Sequence, residues 1–327
     1  MAWSDQARAD LAQALRVAFG LLVPGAILLV VDRPDLIVYA AFGSFAGMYG
    51  RNRHLLARLR QQAIGAVVLL CGVGIGVALV QHGASDLTLV AAAAPFAVAV
   101  SLLADRLGLR PEGPFYGLFA LGATAAVPAG SAEPWQALGL CAATALFAMG
   151  LGVAESLVLR HGWIRVPWEP IRPRSAGIVH ALRYAVAITG AGLVGSALHL
   201  EHVNWVLAGA AVTLAAEDSR MRVRRGVHRV IGTVAGLAVT VLLLLGHPDP
   251  TVLAALVIAF LFPTELFMHR NYALALGFFT PMIMLMTDLA APTDTRTLVV
   301  DRGAGTLLGV AVGIVVALAI RDEPREA

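Results

Sequence analysis

Apolar residues run along this chain in stretches of roughly twenty, the length a helix needs to cross a bilayer core of about 30 Å. Twelve stretches are predicted to be helices, at about 12–31, 36–50, 61–81, 86–104, 115–130, 135–158, 178–198, 203–217, 227–246, 251–268, 272–290 and 298–320. The second and eighth are short, which predicts that they are interrupted or lie at the edge of the core. Brief polar turns separate most stretches. The long exception is 163–174, rich in Pro and Arg, which reads as a connector between two groups of six helices.

The polar positions repeat. Asn204-Trp205 leads through Leu207 and Ala208 to Thr213, and Asn271-Tyr272 leads through Leu274 and Ala275 to Thr280 with the same spacing. Downstream, Arg229-x-x-Gly232-Thr233-x-x-Gly236 is matched by Arg302-x-x-Gly305-Thr306-x-x-Gly309. A unit of about seventy residues is therefore duplicated in the C-terminal part, and such self-similarity is the first guide to architecture. A longer repeat overlies it: Ala14-Leu15-Arg16 is matched by Ala181-Leu182-Arg183, and Gly65 falls on Gly232. Tyr116 and Thr124 keep the spacing of Tyr272 and Thr280, while Gln62-x-x-Gly65 and Gln136-x-x-Gly139 stand where the Arg motifs stand later.

Composition fixes the solvent. Hydrophobic residues make up 58% of the chain and charged residues 14%, with a mean hydropathy of +0.78. Soluble domains carry roughly 45–50% apolar and about 25% charged residues. The expected fold class is therefore an all-α polytopic membrane protein, with lipid as its surroundings and no cleavable signal peptide. Every one of the 24 basic residues is Arg. Arg51, Arg53, Arg58 and Arg60 follow the second stretch, Arg160, Arg165, Arg172 and Arg174 the sixth, and Arg220, Arg222, Arg224 and Arg225 the eighth. The alternate loops are poor in Arg, so the positive-inside rule puts both termini in the cytoplasm.

Each small unit holds three helices, an odd number, so successive units insert upside down. The expectation is two six-helix halves, 1–160 and 178–327, joined by a cytoplasmic connector at 161–177. Each half is a degenerate inverted pair, a recurrent plan in secondary transporters with sites at the repeat interface.

Candidate chemistry concentrates in the repeat motifs. The Gly-Thr-x-x-Gly runs are not phosphate loops, since those need a Gly-Lys pair and the chain has no Lys. Gly232, Gly236, Gly305 and Gly309 read instead as close helix packing through small-xxx-small spacing. Arg229 and Arg302 are expected at opposite mouths of one inverted pair, each one turn before a Thr. A guanidinium in a helix's first turn suits a carboxylate. The expected substrate path is Arg229, Thr233, Trp205, Tyr272, Thr280, Arg302 and Thr306. Against it stands ordinary interface anchoring of Arg, and Asp301 as a ready partner for Arg302. Intramembrane acids are functional suspects. Glu265 is the first candidate for proton coupling because Pro263 frees nearby backbone, with Glu155, Glu217 and Asp301 behind it; ion pairing with the Arg loops is the competing reading. His199-x-x-His202 with Glu201 between suggests zinc, but no further ligand cluster accompanies it, so no metal and no cofactor is expected. Cys71 and Cys141 read as small apolar residues. No catalytic constellation stands out, no enzyme is expected, and the net charge of +3 needs no nucleic acid.

The run His202-Val203-Asn204-Trp205, with Arg229-x-x-Gly232-Thr233-x-x-Gly236 and later Asn271-Tyr272, Thr280-Pro281 and Asp301-Arg302-x-x-Gly305-Thr306, resembles the fusaric acid resistance-like (FUSC) family over about 178–320. That resemblance implies a bacterial inner-membrane exporter of aromatic or other organic carboxylates. The chain departs from the long exporters in lacking sizeable cytosolic domains. It is also similar to plant malate channels, in which six-helix subunits pair. The expected function is proton-linked export of small organic anions. A passive anion channel and a non-transporting membrane scaffold are the alternatives, and a homo-oligomer is compatible with either transport reading.

The Arg asymmetry has a direct check. Single cysteines introduced near Asp249 and near Arg222, in a background without Cys71 and Cys141, are expected to react differently with an impermeant reagent in intact cells. The first labels and the second does not; labelling of both rules out the twelve-span topology.

Overall fold

In the computed structural model the described residues are 5–51, 54–158, 174–215 and 219–320. Glu217, the expected connector up to residue 173 and the tail from 321 lie outside them. The first half contains α1 (Asp5–Val30), α2 (Ile37–Ser44), α3 (Leu55–Gln81), α4 (Asp86–Leu107), α5 (Phe115–Ala125) and α6 (Pro134–Val158). The second contains α7 (Arg174–Ala197), α8 (Val203–Leu214), α9 (Ser219–Leu244), α10 (Pro250–Phe267), α11 (Tyr272–Ala290) and α12 (Thr295–Ala319). Among the described residues there is no strand. Side-chain caps fix several starts: Ser85 accepts from the Thr88 amide, Asn271 from Leu274 and Asp294 from Thr297, satisfying donors that a first helical turn leaves free.

Nine of these helices are long and apolar enough to cross a membrane by length and composition. The other three, α2, α5 and α8, hold 8, 11 and 12 residues, which at 1.5 Å per residue is about 12–18 Å. The expectation of twelve full spans is thus corrected for these three. They are also not at the edge: every residue of α2 and α8 is buried, as is nearly all of α5. Two 3₁₀ turns, Pro34–Leu36 and Phe45–Met48, extend the path of α2. Non-helical backbone is tolerated at membrane depth only inside protein or beside a cavity, so short helices belong at the centre, jacketed by long ones. Apolar residues on every face of these short helices fit such a position.

Four helices pair closely with helices not adjacent in sequence: α8 on α12, α11 on α9, α5 on α3, and α2 on α6. Between the halves, α1 packs on α10 and α4 on α7, with α5 against α8. Glycines line the seams. A Cβ on Gly309 would meet Gly209 Cα at 2.8 Å and Ala210 N at 2.9 Å; one on Gly236 would meet Thr280 Cβ at 2.6 Å. Gly232 abuts Ala273 and Leu276, Gly305 abuts Trp205, and Gly76 abuts Thr124 of α5.

The seams predict a contrast. Gly309→Ala and Gly236→Ala are expected to cost about 1–3 kcal/mol through overpacking, lowering thermal stability and folded yield in detergent. Gly277, where a Cβ meets nothing within 4 Å, is expected to tolerate Ala without loss, since a helix interior favours Ala over Gly. Equal melting temperatures for all three variants would show that the seams are loose.

Candidate functional site

Where the short helices end at the Arg-rich side, a cavity of about 770 Å³ lies between the two halves. Its wall carries six arginines against two glutamates: Arg51, Arg110, Arg224, Arg225, Arg229 and Arg270 face Glu112 and Glu265. The rim is largely neutralised. Asp10 pairs with Arg51, and accepts from Arg270 Nε at 2.7 Å, while Arg110 pairs with Glu112. His269, between α10 and α11, is pushed down to about 4 by burial and by the cations Arg51 and Arg225, with Asp10 opposing, so its ring is neutral near pH 7.

Charge without a partner lies deeper. Arg229 is fully buried, and its Nε, Nη1 and Nη2 have no hydrogen-bond partner. It has only the face of Phe115, 5.5 Å from the guanidinium carbon to the ring centroid. Arg225, one turn earlier on α9, stacks at 4.9 Å over Tyr272. Arg302 on α12 repeats the pattern: fully buried, three nitrogens without a partner, 5.4 Å from the Trp205 ring. The two guanidiniums lie within electrostatic reach of each other. The hydroxyls of Thr233, Thr280 and Thr306 are buried without partners as well. Isolated buried charge is costly, so these groups form a polar strip inside the second half with no internal account of its donors.

The predicted path residues therefore separate. Arg229 and Tyr272 line the cavity, whereas Trp205, Thr233, Thr280, Arg302 and Thr306 lie in the protein beyond its wall. Arg229 and Arg302 occupy the eleventh position of α9 and the eighth of α12, inside their helices rather than in the first turn. Asp301 does not pair with Arg302. Its Oδ2 lies 3.1 Å from His202 Nδ1.

The acids separate too. Glu265 is buried in the cavity wall, where Gln13 Nε2 donates to its Oε1 at 3.2 Å and to the Gly47 carbonyl at 3.2 Å. Glu155 is held by Arg16 and by Arg58 Nη1 at 3.0 Å, the ion-pair arrangement that competes with a proton role.

An aromatic cluster lies beside the cavity, and nothing in the apolar pattern points to it. Phe115, Tyr116 and Phe279 line the cavity. Behind them Phe45 meets Tyr116 at 5.7 Å and Phe279 at 6.4 Å, and Phe119 meets Phe279 at 5.7 Å and Phe42 at 5.6 Å. The rings come from the α2 segment, α5 and α11. The only signal for them was the shared spacing of Tyr116 and Tyr272; Gln13 offered none beyond a polar residue in an apolar run.

Residues 189–316 match the family model described as fusaric acid resistance protein-like, the segment that holds both Arg-x-x-Gly-Thr motifs. Over 115 residues the chain is 26% identical to "Uncharacterized membrane protein YvaC" of Bacillus subtilis (strain 168). That match covers 35% of this chain and 18% of YvaC, so the chain spans under a fifth of the relative's length in the alignment. No solved structure matches. The family-model match, the membrane-protein relative and the apolar helices together make this a multi-pass membrane protein.

The aromatic cluster has a measurable consequence. Phe279→Ala and Phe45→Ala remove buried rings from the cluster beside the cavity. Proteoliposomes holding either variant are expected to leak small anions, such as chloride, several-fold faster than wild type. Unchanged leak with intact folding would show that the rings only pack.

Proposed function

We propose that the protein is an inner-membrane exporter of small organic carboxylates, with proton-linked transport. The single observation that carries this reading is the fully buried Arg229 guanidinium, without a partner, in the wall of a cavity rich in arginine. A planar cation with five donors fits a carboxylate in a two-pronged contact, and Phe115, Tyr116 and Tyr272 offer ring faces beside it. Arg302, with Thr280 and Thr306, is the second station on the path. Glu265 sits in the same wall as Arg229 and takes the coupling role, because a proton there changes the charge that the anion meets.

The proposed architecture is two six-helix halves, each an inverted pair of three-helix units, with the Arg-rich cavity facing the cytoplasm. Its support is the seating of each middle helix on the last helix of the neighbouring unit, together with the Arg distribution. The cluster of aromatic rings beside the cavity favours a carrier over an always-open pore.

The test is efflux of radiolabelled benzoate from loaded proteoliposomes, with folded protein quantified alongside. Arg229→Gln and Arg302→Gln are each expected to lower efflux at least tenfold. Both should fold as well as wild type or better, because no acid is left without its partner. Arg229→Lys should recover part of the rate, since charge returns without the fork. Glu265→Gln should keep exchange but lose the response to a pH gradient. Full efflux in both Gln variants would remove the anion reading; a persistent gradient response in Glu265→Gln would turn it toward a passive channel.

A further inference from the structure

At the end of α8 away from the cavity, three ligand-bearing side chains converge from two elements. Glu201 and His202 immediately precede α8, and Asp301 lies in the second turn of α12. One ligand atom of each falls within 4.8 Å of the others. His202 Nδ1 is 3.1 Å from Asp301 Oδ2, and both side chains are 11% exposed, whereas Glu201 is exposed. The imidazole is held in plane by Trp205, whose ring stacks on it at 4.4 Å and 9°.

We propose that Glu201, His202 and Asp301 form a binding site for a divalent transition-metal ion of the zinc class, pinning the start of α8 to α12. Imidazole nitrogen and carboxylate oxygen are the donors such ions take, and metal–ligand bonds of about 2.0–2.1 Å space tetrahedral ligand atoms about 3.3–3.4 Å apart. The His202–Asp301 separation is close to that already. Rotation of the exposed Glu201 supplies the third ligand, and its exposure leaves the fourth position to water. An ordinary ion pair needs one carboxylate for one imidazole; here two carboxylates converge on one ring. Their mutual repulsion is relieved by a cation between them. The sequence offered His199 as the second ligand, but the structure brings Asp301 into the cluster in its place. The site is independent of the transport reading, since it rests on none of the cavity residues.

The test uses the purified full chain in detergent and Zn²⁺ alone. Competition against a chromophoric chelator is expected to give one tight equivalent. His202→Gln and Asp301→Asn should each weaken binding at least tenfold, Glu201→Gln less, and His199→Ala not at all. Co²⁺ should quench Trp205 emission, read as the difference between wild type and Trp205→Phe. Absence of a tight equivalent in the wild-type protein would overturn the proposal, even if the buried variants fail to fold. So would binding undiminished in folded His202→Gln, or binding lost in His199→Ala, which would mark simple surface chelation.

Discussion

Two close helix contacts, α12 on α8 and α9 on α11, set the conditions for everything polar in the second half. Each is made by a glycine row that leaves no room for a Cβ: Gly305 and Gly309 against Trp205 and Gly209, Gly232 and Gly236 against Leu276 and Thr280. Arg302 and Arg229 each sit three residues before the first glycine of their row, one turn from the tightest approach. Backbones pressed this close admit neither water nor a long side chain reaching in from elsewhere. The seams that hold the bundle therefore also fix the two guanidiniums, Arg229 at the cavity wall and Arg302 beyond it.

The two halves use arginine in opposite ways. In the first, Arg16 and Arg58 share Glu155, and Arg58 also reaches the Gly152 carbonyl and the Ser156 hydroxyl. Gln62, at the place of Arg229 in the repeat, is buried with its amide free of partners. A neutral amide in that position costs far less than a cation. The second half keeps two buried cations, Arg229 and Arg302, without a hydrogen-bond partner among the described residues. The cavity lies where α5 presents Phe115 and Tyr116 to the α9 segment that carries Arg229.

Much of the fold was legible because lipid imposes strict rules. Runs of apolar residues located all twelve helices to within a few residues at most ends, although α9 begins eight residues earlier than its apolar run, at Ser219. There the helix continues through Arg220, Arg222 and Arg224, which hydropathy excludes but helical hydrogen bonding accepts. Centrality was not legible: a short apolar run reads the same at the rim and in the middle, and only the long helices around α2 and α8 distinguish them. The repeat marked Arg229 and Arg302 as special, since identical spacing survives in sequence. It did not show their depth, because a motif gives register along a helix and not position across a membrane. The aromatic cluster joins residues as distant as Phe45 and Phe279, a convergence that exists only after folding.

Accounting for partners, rather than for residue type, separates structural from functional charge here. Arg58 and Arg229 are both buried arginines on long helices, and composition treats them alike. Removing Arg58 would strip a partner from Glu155, a carboxylate left with Arg16 alone, and would free a carbonyl and a hydroxyl. Removing Arg229 would leave no acid and no carbonyl behind. Arg229, fully buried beside a cavity with only a ring contact to Phe115 among the described residues, bears its own desolvation cost. In the proposed reading its donors are those of a planar fork, which fits an oxyanion better than a point charge such as chloride.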